Sequence, residues 1–199
     1  MIRVKICGLT SPEDVRVINE AAPDYCGFVV DYGKSRRSLD GREACRLAES
    51  VAEGIRTVAV FVDEPLDTAV SVMRSFDLAQ LHGNESEDYI EELRRRTGRQ
   101  IIRAFIPKSR RDIERACLTK ADYILFDAGR GAGATFNWQL LENAEVKRKY
   151  FLAGGLCAEN LAEAAGLSPY AFDISSGVET NGRKDPVKVR QVTEFAGKN

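Results

Sequence analysis

The chain alternates short apolar segments with longer amphipathic ones, and this alternation limits its fold more than any other feature. Eight segments rich in β-branched and aromatic residues recur about every 25 residues. The predicted strands are residues 2–7, 25–30, 57–62, 78–81, 100–105, 123–127, 150–153 and 170–174. Helices are predicted to begin near Thr10 or Ser11 and near Ala158 (about ten residues), and to span 40–51, 66–75, 86–96, 109–119 and 185–196. A Gly-rich loop, 129–133, follows the sixth strand.

Eight strand–helix units predict an α/β protein, a single (β/α)8 TIM barrel that spans residues 1–199 as one domain. Most of the strands are apolar on both faces, as expected where helices cover a parallel sheet. An open doubly wound sheet is the alternative. It would favour a Gly-rich dinucleotide turn after the first strand, and Cys7-Gly8-Leu9-Thr10 is not such a turn.

Composition excludes several classes of protein. Lysine and arginine number 29 against 30 acidic residues, so a net charge of -1 argues against binding to nucleic acid or to a membrane surface. No apolar run approaches the length of a membrane span, and the first residues form a charged strand rather than a signal segment. The five cysteines are widely spaced and form neither a CxxC pair nor a zinc pattern. We therefore expect a cytoplasmic protein without a disulfide framework or a metal site.

Cys7 is the first candidate for a catalytic residue. The first strand alternates strictly, so Lys5 and Cys7 share one face while Val4 and Ile6 share the other. A neighbouring ammonium lowers the pKa of a thiol and favours the thiolate, which can remove a proton or attack carbon. The alternative is a small buried cysteine at the end of a strand.

Polar residues collect at the predicted carboxyl ends of the strands, where a barrel of this type builds its active site. They are Cys7, Arg36, Arg37, Asp63, His82, Arg103, Asp127, Asp173 and Ser175. Two turns, Gly154-Gly155 and Ser175-Ser176-Gly177, follow the seventh and eighth strands and offer backbone N–H groups. These two strand ends form the usual phosphate site of the fold, so we predict that a phosphate binds there. Ordinary tight turns are the alternative.

Asp127 ends the sixth strand, across the mouth from Cys7, as either a helix cap or an acid whose pKa is raised by apolar walls. A base and an acid facing each other suit a reaction that moves a proton from carbon to carbon or oxygen. Arg36 or Arg37 could hold a carboxylate, although a solvated basic loop is equally compatible with the sequence. Asp173 could hold a sugar hydroxyl. The role of His82 stays open.

Nine ordered motifs connect these candidates to a known family. They are Lys5-Ile6-Cys7-Gly8-Leu9-Thr10, Gly27-Phe28-Val29, Ser35-Arg36-Arg37, Val60-Phe61-Val62, Gln80-Leu81-His82-Gly83, Leu125-Phe126-Asp127, Gly133-Ala134-Thr135-Phe136-Asn137-Trp138, Leu152-Ala153-Gly154-Gly155-Leu156 and Asp173-Ile174-Ser175-Ser176-Gly177-Val178-Glu179. With them the chain resembles the phosphoribosylanthranilate isomerases of tryptophan biosynthesis over essentially its full length.

The resemblance implies a cofactor-free Amadori rearrangement, in which an aldose–ketose isomerase (an intramolecular oxidoreductase) acts on a phosphorylated sugar–anthranilate. It implies that Cys7 is the general base, that Asp127 is the general acid and that Arg37 holds the anthranilate carboxylate. An apparent one-residue insertion at 31–33 keeps Arg36 as the alternative to Arg37. The glycines and serines after strands seven and eight would hold the phosphate. Rival functions are the related histidine-pathway isomerase and a silent sugar-phosphate-binding barrel. The sequence leaves monomer and homodimer open.

Overall fold

The structure, a computed structural model, describes residues 1–127, 138–142, 144 and 146–198. Within them, eight parallel strands each pair with the next, and β1 also pairs with β8. The strands are β1 (Arg3–Cys7), β2 (Tyr25–Val30), β3 (Arg56–Phe61), β4 (Leu78–Leu81), β5 (Gln100–Phe105), β6 (Tyr123–Phe126), β7 (Tyr150–Leu152) and β8 (Ala171–Ile174). Because β1 has a strand neighbour on each side, the sheet is closed. The predicted barrel is confirmed and the open sheet is excluded.

A helix follows each barrel strand in the described chain. The helices are α1 (Pro12–Ala21), α2 (Gly41–Ala48), α3 (Leu66–Val72), α4 (Glu87–Thr97), α5 (Arg110–Ala116), α6 (Gln139–Glu142), α7 (Leu161–Ala165) and α8 (Pro186–Lys198). Ser11 caps α1, since its hydroxyl accepts a hydrogen bond from the Asp14 N–H at 3.2 Å. The predicted start of that helix is therefore confirmed. No described helix is both long and apolar enough to cross a bilayer.

The prediction for α7 is wrong in its start and in its length. The helix has five residues rather than about ten, and it begins at Leu161 instead of near Ala158. The side chain of Asn160 accepts a hydrogen bond from the Cys157 N–H and donates one to the Gly155 carbonyl. These bonds hold the preceding residues in a turn, because a side-chain amide competes with the helix for backbone groups.

Helix α6 and two other short elements were not predicted individually from the sequence. Residues Ser38–Leu39 add a parallel strand beside the end of β2. Between β8 and α8, Glu179–Thr180 and Arg183–Lys184 form an antiparallel hairpin. Its two turn residues, Asn181 and Gly182, both have positive φ, 53° and 77°. Asn-Gly is the sequence that favours such a two-residue turn, so this sequence fixes the register of the hairpin.

The barrel has an outer and an inner apolar layer. Val4 and Ile6 belong to the outer layer under the helices, whereas Cys7 packs against the inner one. At the amino-terminal end, the Phe151 ring makes edge contacts with Tyr25 and Tyr123, at centroid distances of 5.4 and 5.6 Å. Each such pair adds about 0.5–1.5 kcal/mol to the energy of burial. The aromatic layer fills this end, so the interior opens towards the carboxyl ends of the strands.

Candidate active site

Strand pairing between β1 and β8 builds a buried ion pair beneath the mouth of the barrel. Lys5 and Asp173 are register partners, and the Lys5 Nζ donates a hydrogen bond to Asp173 Oδ1 at 2.8 Å. The Lys5 side chain is 0% exposed and that of Asp173 is 7% exposed. Burial alone would lower the pKa of Lys5, but the Asp173 carboxylate and Cys7 outweigh it and hold the pKa above its ordinary value. Lys5 is therefore an ammonium that cannot leave its place.

Cys7 ends β1 on the same face as Lys5, as predicted. Its register partner on β2 is Gly27, where a Cβ would lie 2.9 Å from the Cys7 Sγ and 3.1 Å from the Lys5 Nζ. Only a glycine leaves room there for both groups. The Cys7 carbonyl accepts hydrogen bonds from Lys184 Nζ at 2.7 Å and from the Ser175 hydroxyl at 3.0 Å. The backbone that carries the thiol is thus held from the β8 side.

Burial raises the pKa of the Cys7 thiol above its ordinary value, although the positive charges of Lys5 and Lys184 oppose this. The sequence predicted that Lys5 lowers the pKa of this thiol and left its net pKa open. Lys5 acts in the predicted direction, but desolvation of the partly buried thiol is the larger effect. A thiol whose pKa lies above its ordinary value is mostly protonated near neutral pH.

Asp127 follows β6, which lies three strands from β1 around the barrel. Its N–H donates to the Phe105 carbonyl at 2.9 Å, which fixes the backbone at the rim. Its Oδ2 lies 3.4 Å from His82 Nε2, and the two side chains are 22% and 28% exposed. The buried Gln80 places its Nε2 3.5 Å from His82 Nδ1. His82 therefore stands beside the predicted acid. The Gly-rich loop predicted at 129–133 lies outside the described residues.

Arg37, not Arg36, lies over the backbone next to the predicted base. A Cβ on Gly8 would come within 2.3 Å of the Arg37 Cδ, so the arginine side chain crosses directly above that glycine. Gly8 also has a φ of 81°, which favours glycine. The Arg36 side chain is 64% exposed and that of Arg37 is 22% exposed. This geometry favours Arg37 as the binding residue.

Glu179 binds both arginines and received no role from the sequence. Arg37 donates to it through Nε at 2.7 Å and Nη2 at 2.9 Å, and Arg36 donates through Nη2 at 2.7 Å. Lys184 adds a fourth hydrogen bond at 2.9 Å. These donors overcome the effect of burial and lower the pKa of Glu179 to about 2. The Asn181-Gly182 turn signal could have revealed the hairpin that carries this residue.

The two predicted phosphate turns lie against each other. A Cβ on Gly177 would lie 1.9 Å from the Leu156 carbonyl oxygen, so the loop after β8 packs on the loop after β7. Gly154 and Gly155 have φ values of 89° and 67°, which a side chain would strain. The Ser175 hydroxyl donates its hydrogen bond to the Cys7 carbonyl, so it cannot donate to a ligand at the same time.

One groove lies away from this site in the part of the chain that the structure describes. An open groove of about 790 Å³, with Cys45 and Val72 in its lining, lies between α2 and α3 and contains none of the predicted site residues. Among the described residues, no group of three or more His, Cys, Asp or Glu side chains could hold a metal ion. The chemistry therefore concentrates at the mouth of the barrel.

Known proteins resemble the chain over its full length. Residues 4–195 match the family model of N-(5'phosphoribosyl)anthranilate (PRA) isomerase. The N-(5'-phosphoribosyl)anthranilate isomerase of Endomicrobium trichonymphae is 42% identical over 203 residues, which cover 98% of each chain. The phosphoribosyl anthranilate isomerase of Thermotoga maritima superposes with a TM-score of 0.89 at 34% identity, with 100% of both chains covered.

A further solved structure of phosphoribosyl anthranilate isomerase is a complex with reduced 1-(o-carboxyphenylamino)-1-deoxyribulose 5-phosphate. It superposes with a TM-score of 0.86 at 33% identity and covers 100% of both chains. Sequence and structure thus agree along the whole length. The chain belongs to the N-(5'-phosphoribosyl)anthranilate isomerase family.

Proposed function

We propose that this protein is the isomerase of tryptophan biosynthesis that converts N-(5'-phosphoribosyl)anthranilate to 1-(2-carboxyphenylamino)-1-deoxyribulose 5-phosphate. The reaction is an Amadori rearrangement of an aminoaldose to an aminoketose and uses acid and base groups of the protein without a cofactor. Carbon C1 of the sugar is reduced and C2 is oxidised, so the reaction is an intramolecular oxidation–reduction. No other oxidant or reductant takes part.

Asp127 starts the reaction as the general acid. It protonates the ring oxygen of the furanose, the bond between that oxygen and C1 breaks, and the nitrogen lone pair forms a Schiff base at C1. Cys7, as the thiolate, then removes the proton from C2, and the electron pair of that C–H bond moves towards C1 and nitrogen. The resulting enolamine tautomerises to the ketose. The protons lost and gained by the sugar balance.

The observation that carries this assignment is the position of Arg37 over Gly8, directly after Cys7. Arg37, the proposed partner of the anthranilate carboxylate, lies on the same side of the mouth as Cys7, the proposed base. The adjoining turns at 154–155 and 175–177 are the proposed phosphate site, and Asp173 is the proposed partner of a sugar hydroxyl. One of the Asp173 oxygens already accepts a hydrogen bond from Lys5.

The test is turnover of N-(5'-phosphoribosyl)anthranilate, measured by the loss of anthranilate fluorescence. Cys7→Ala should lower kcat by about 100-fold or more, which is the range for removal of a general base. Cys45→Ala is the matched control, because Cys45 lies on α2 in the outer groove, and its kcat should equal that of the wild type. An unchanged kcat in Cys7→Ala would refute the assignment of the base.

Three further predictions concern the protein as a whole. We propose that residues 1–199 form one domain and that the protein is cytoplasmic, where its five cysteines stay as the free thiols seen in the structure. The third concerns the oligomeric state, a monomer or a homodimer, which sedimentation measurements would decide.

A further inference from the structure

The hairpin before α8 places Glu179 between two functional regions. Glu179 is paired with Lys184 across the hairpin, and the Asn181-Gly182 turn fixes this register. The base of the hairpin is anchored as well, because the Lys184 N–H donates to a carboxylate oxygen of Asp14, in the first turn of α1, at 3.1 Å. The Glu179 side chain is 5% exposed. It therefore sits in a rigid and nearly dry position.

Glu179 binds Arg37 directly and is linked to the backbone of Cys7 through Lys184. Lys184, which binds Glu179, also donates to the carbonyls of Cys7 and Ser175, at 2.7 and 3.2 Å. Arg37 binds Glu179 with its side edge, Nε and Nη2. One carboxylate thus joins the Cys7 backbone, the loop after β8 and Arg37.

The contact with Glu179 decides which part of Arg37 a ligand can reach. A guanidinium presents five N–H donors in a fixed fork, and its side edge is the one that Glu179 occupies. Nη1 makes no hydrogen bond to any residue that the structure describes. The end of the fork, Nη1 together with the outer hydrogen of Nη2, is the edge left for an incoming carboxylate.

We propose that Glu179 is a positioning residue that holds Arg37 in the orientation that receives the anthranilate carboxylate, and that it thereby makes the enzyme selective for carboxylate-bearing substrates. This inference rests on the proposed function. Glu179 touches neither the reacting atoms nor the substrate; it acts through Arg37. It locks a long side chain before the substrate arrives, so less conformational entropy is lost on binding.

The same geometry would also allow Glu179 to compete with the substrate for Arg37, and the two roles predict opposite changes in KM. If Glu179 competed with the substrate for Arg37, its removal would free the guanidinium and lower KM. If Glu179 positions Arg37, its removal lets the side chain move away from Gly8 and raises KM. The direction of the change in KM therefore separates positioning from competition.

The experiment compares Glu179→Gln with the wild type on two substrates. One is N-(5'-phosphoribosyl)anthranilate and the other is the corresponding phosphoribosyl aniline, which lacks the carboxylate. With the anthranilate substrate, we expect KM to rise at least about tenfold and kcat to change less than about threefold. With the aniline substrate, kcat/KM of the variant should stay within about threefold of the wild-type value. A residue that only supports the fold would impair both substrates alike.

Two additional variants complete the test. Glu43→Gln removes a carboxylate that binds Arg46 through two hydrogen bonds on the exposed face of α2, and it should change neither constant. Arg37→Ala combined with Glu179→Gln should be no worse than Arg37→Ala alone, within about threefold, if Glu179 acts through Arg37. Should Glu179→Gln fail to fold, Glu179→Asp keeps the charge, shortens the reach and should raise KM in the same way.

The possible failures are distinguishable. A wild-type protein that does not convert N-(5'-phosphoribosyl)anthranilate would overturn the proposed function itself. A wild type that turns over, combined with an unchanged or lowered KM in Glu179→Gln or an equal loss on both substrates, would overturn only the role of Glu179.

Discussion

Asp173→Asn should destabilise the protein strongly, because it leaves the Lys5 ammonium buried without its counter-charge. The two groups are 2.8 Å apart, and their side chains are 0% and 7% exposed. Removal of one partner of such a pair costs about 3–5 kcal/mol of unfolding free energy. For a chain of this length, that corresponds to a fall in Tm of about 6–20 °C. Urea and thermal unfolding at about pH 7.5, where Lys5 is charged, measure the effect.

A matched control is available on the surface. Asp67 pairs with Arg96 at the similar distance of 2.7 Å, but its side chain is 89% exposed. Asp67→Asn should therefore cost less than about 1 kcal/mol. Replacement of both buried partners, Lys5→Met with Asp173→Leu, should cost less than Asp173→Asn alone, because no charge is then left without a partner.

The pH dependence supplies a second check on the same pair. In the wild type the folded-state pKa of Lys5 is raised, so its contribution to stability is complete below the ordinary value of 10.5 and is lost as pH rises through the folded-state pKa. In Asp173→Asn, burial should lower the pKa of Lys5 instead, so stability should increase as pH rises towards 10.5. The difference in unfolding free energy between the wild type and Asp173→Asn should therefore decrease from about pH 7 to about pH 10. The reasoning would be refuted if Asp173→Asn lost no more unfolding free energy than Asp67→Asn. It would also be refuted if the difference in unfolding free energy between Asp173→Asn and the wild type increased with pH.

Three other substitutions or titrations test the mouth of the barrel. Asp127→Asn should lower kcat by about 100-fold or more, while the affinity for a product analogue stays within about tenfold of the wild-type value. The activity that remains should rise with pH as Cys7 loses its proton, without a fall at alkaline pH, and the pKa of Cys7 is raised. Arg37→Ala should raise KM more than it lowers kcat, because the carboxylate is held in ground and transition states alike, and the same result from Arg36→Ala instead would reverse the assignment. Because its pKa is lowered, the Glu179 carboxylate stabilises the fold at pH values above the ordinary pKa of 4.5, and this contribution is lost as pH falls towards about 2. Glu179→Gln should therefore flatten this part of the curve of unfolding free energy against pH. An unchanged curve would contradict this role of Glu179.

The barrel could be predicted from the sequence because its signal is local. Strict alternation from Arg3 to Cys7 gives the correct faces of β1 without any knowledge of its neighbours. Ser11 and Pro12 likewise identify the start of α1 from adjacent residues. The error at α7 arose where Asn160 bonds the backbone on its amino-terminal side, a choice that hydrophobic spacing does not reveal.

The contacts of the site could not be predicted in the same way, because they join distant parts of the chain. Lys5 and Asp173 are 168 residues apart, and they meet only because β1 pairs with β8 in a particular register. Arg37 and Glu179 are separated by 142 residues and meet because β2 and β8 both lie next to β1. The residue types at the strand ends indicated where the chemistry would collect, but closure of the barrel decides which of them are partners.

The pKa of Cys7 shows how the same closure affects the chemistry. Lys5 is near in the sequence and lowers the pKa, but desolvation exists only once the barrel is closed, and it raises the pKa more. Each unit of increase reduces the thiolate fraction near neutral pH about tenfold. A stronger base also abstracts a proton faster, and with a Brønsted coefficient of about 0.5 the rate rises about threefold per unit. The rate is then reduced only about threefold for each unit by which the pKa of Cys7 rises, so desolvation of the base is compatible with catalysis. The same desolvation strengthens the attraction of Lys5 and Lys184 for the thiolate, which is the form that must be present when the C2 proton leaves.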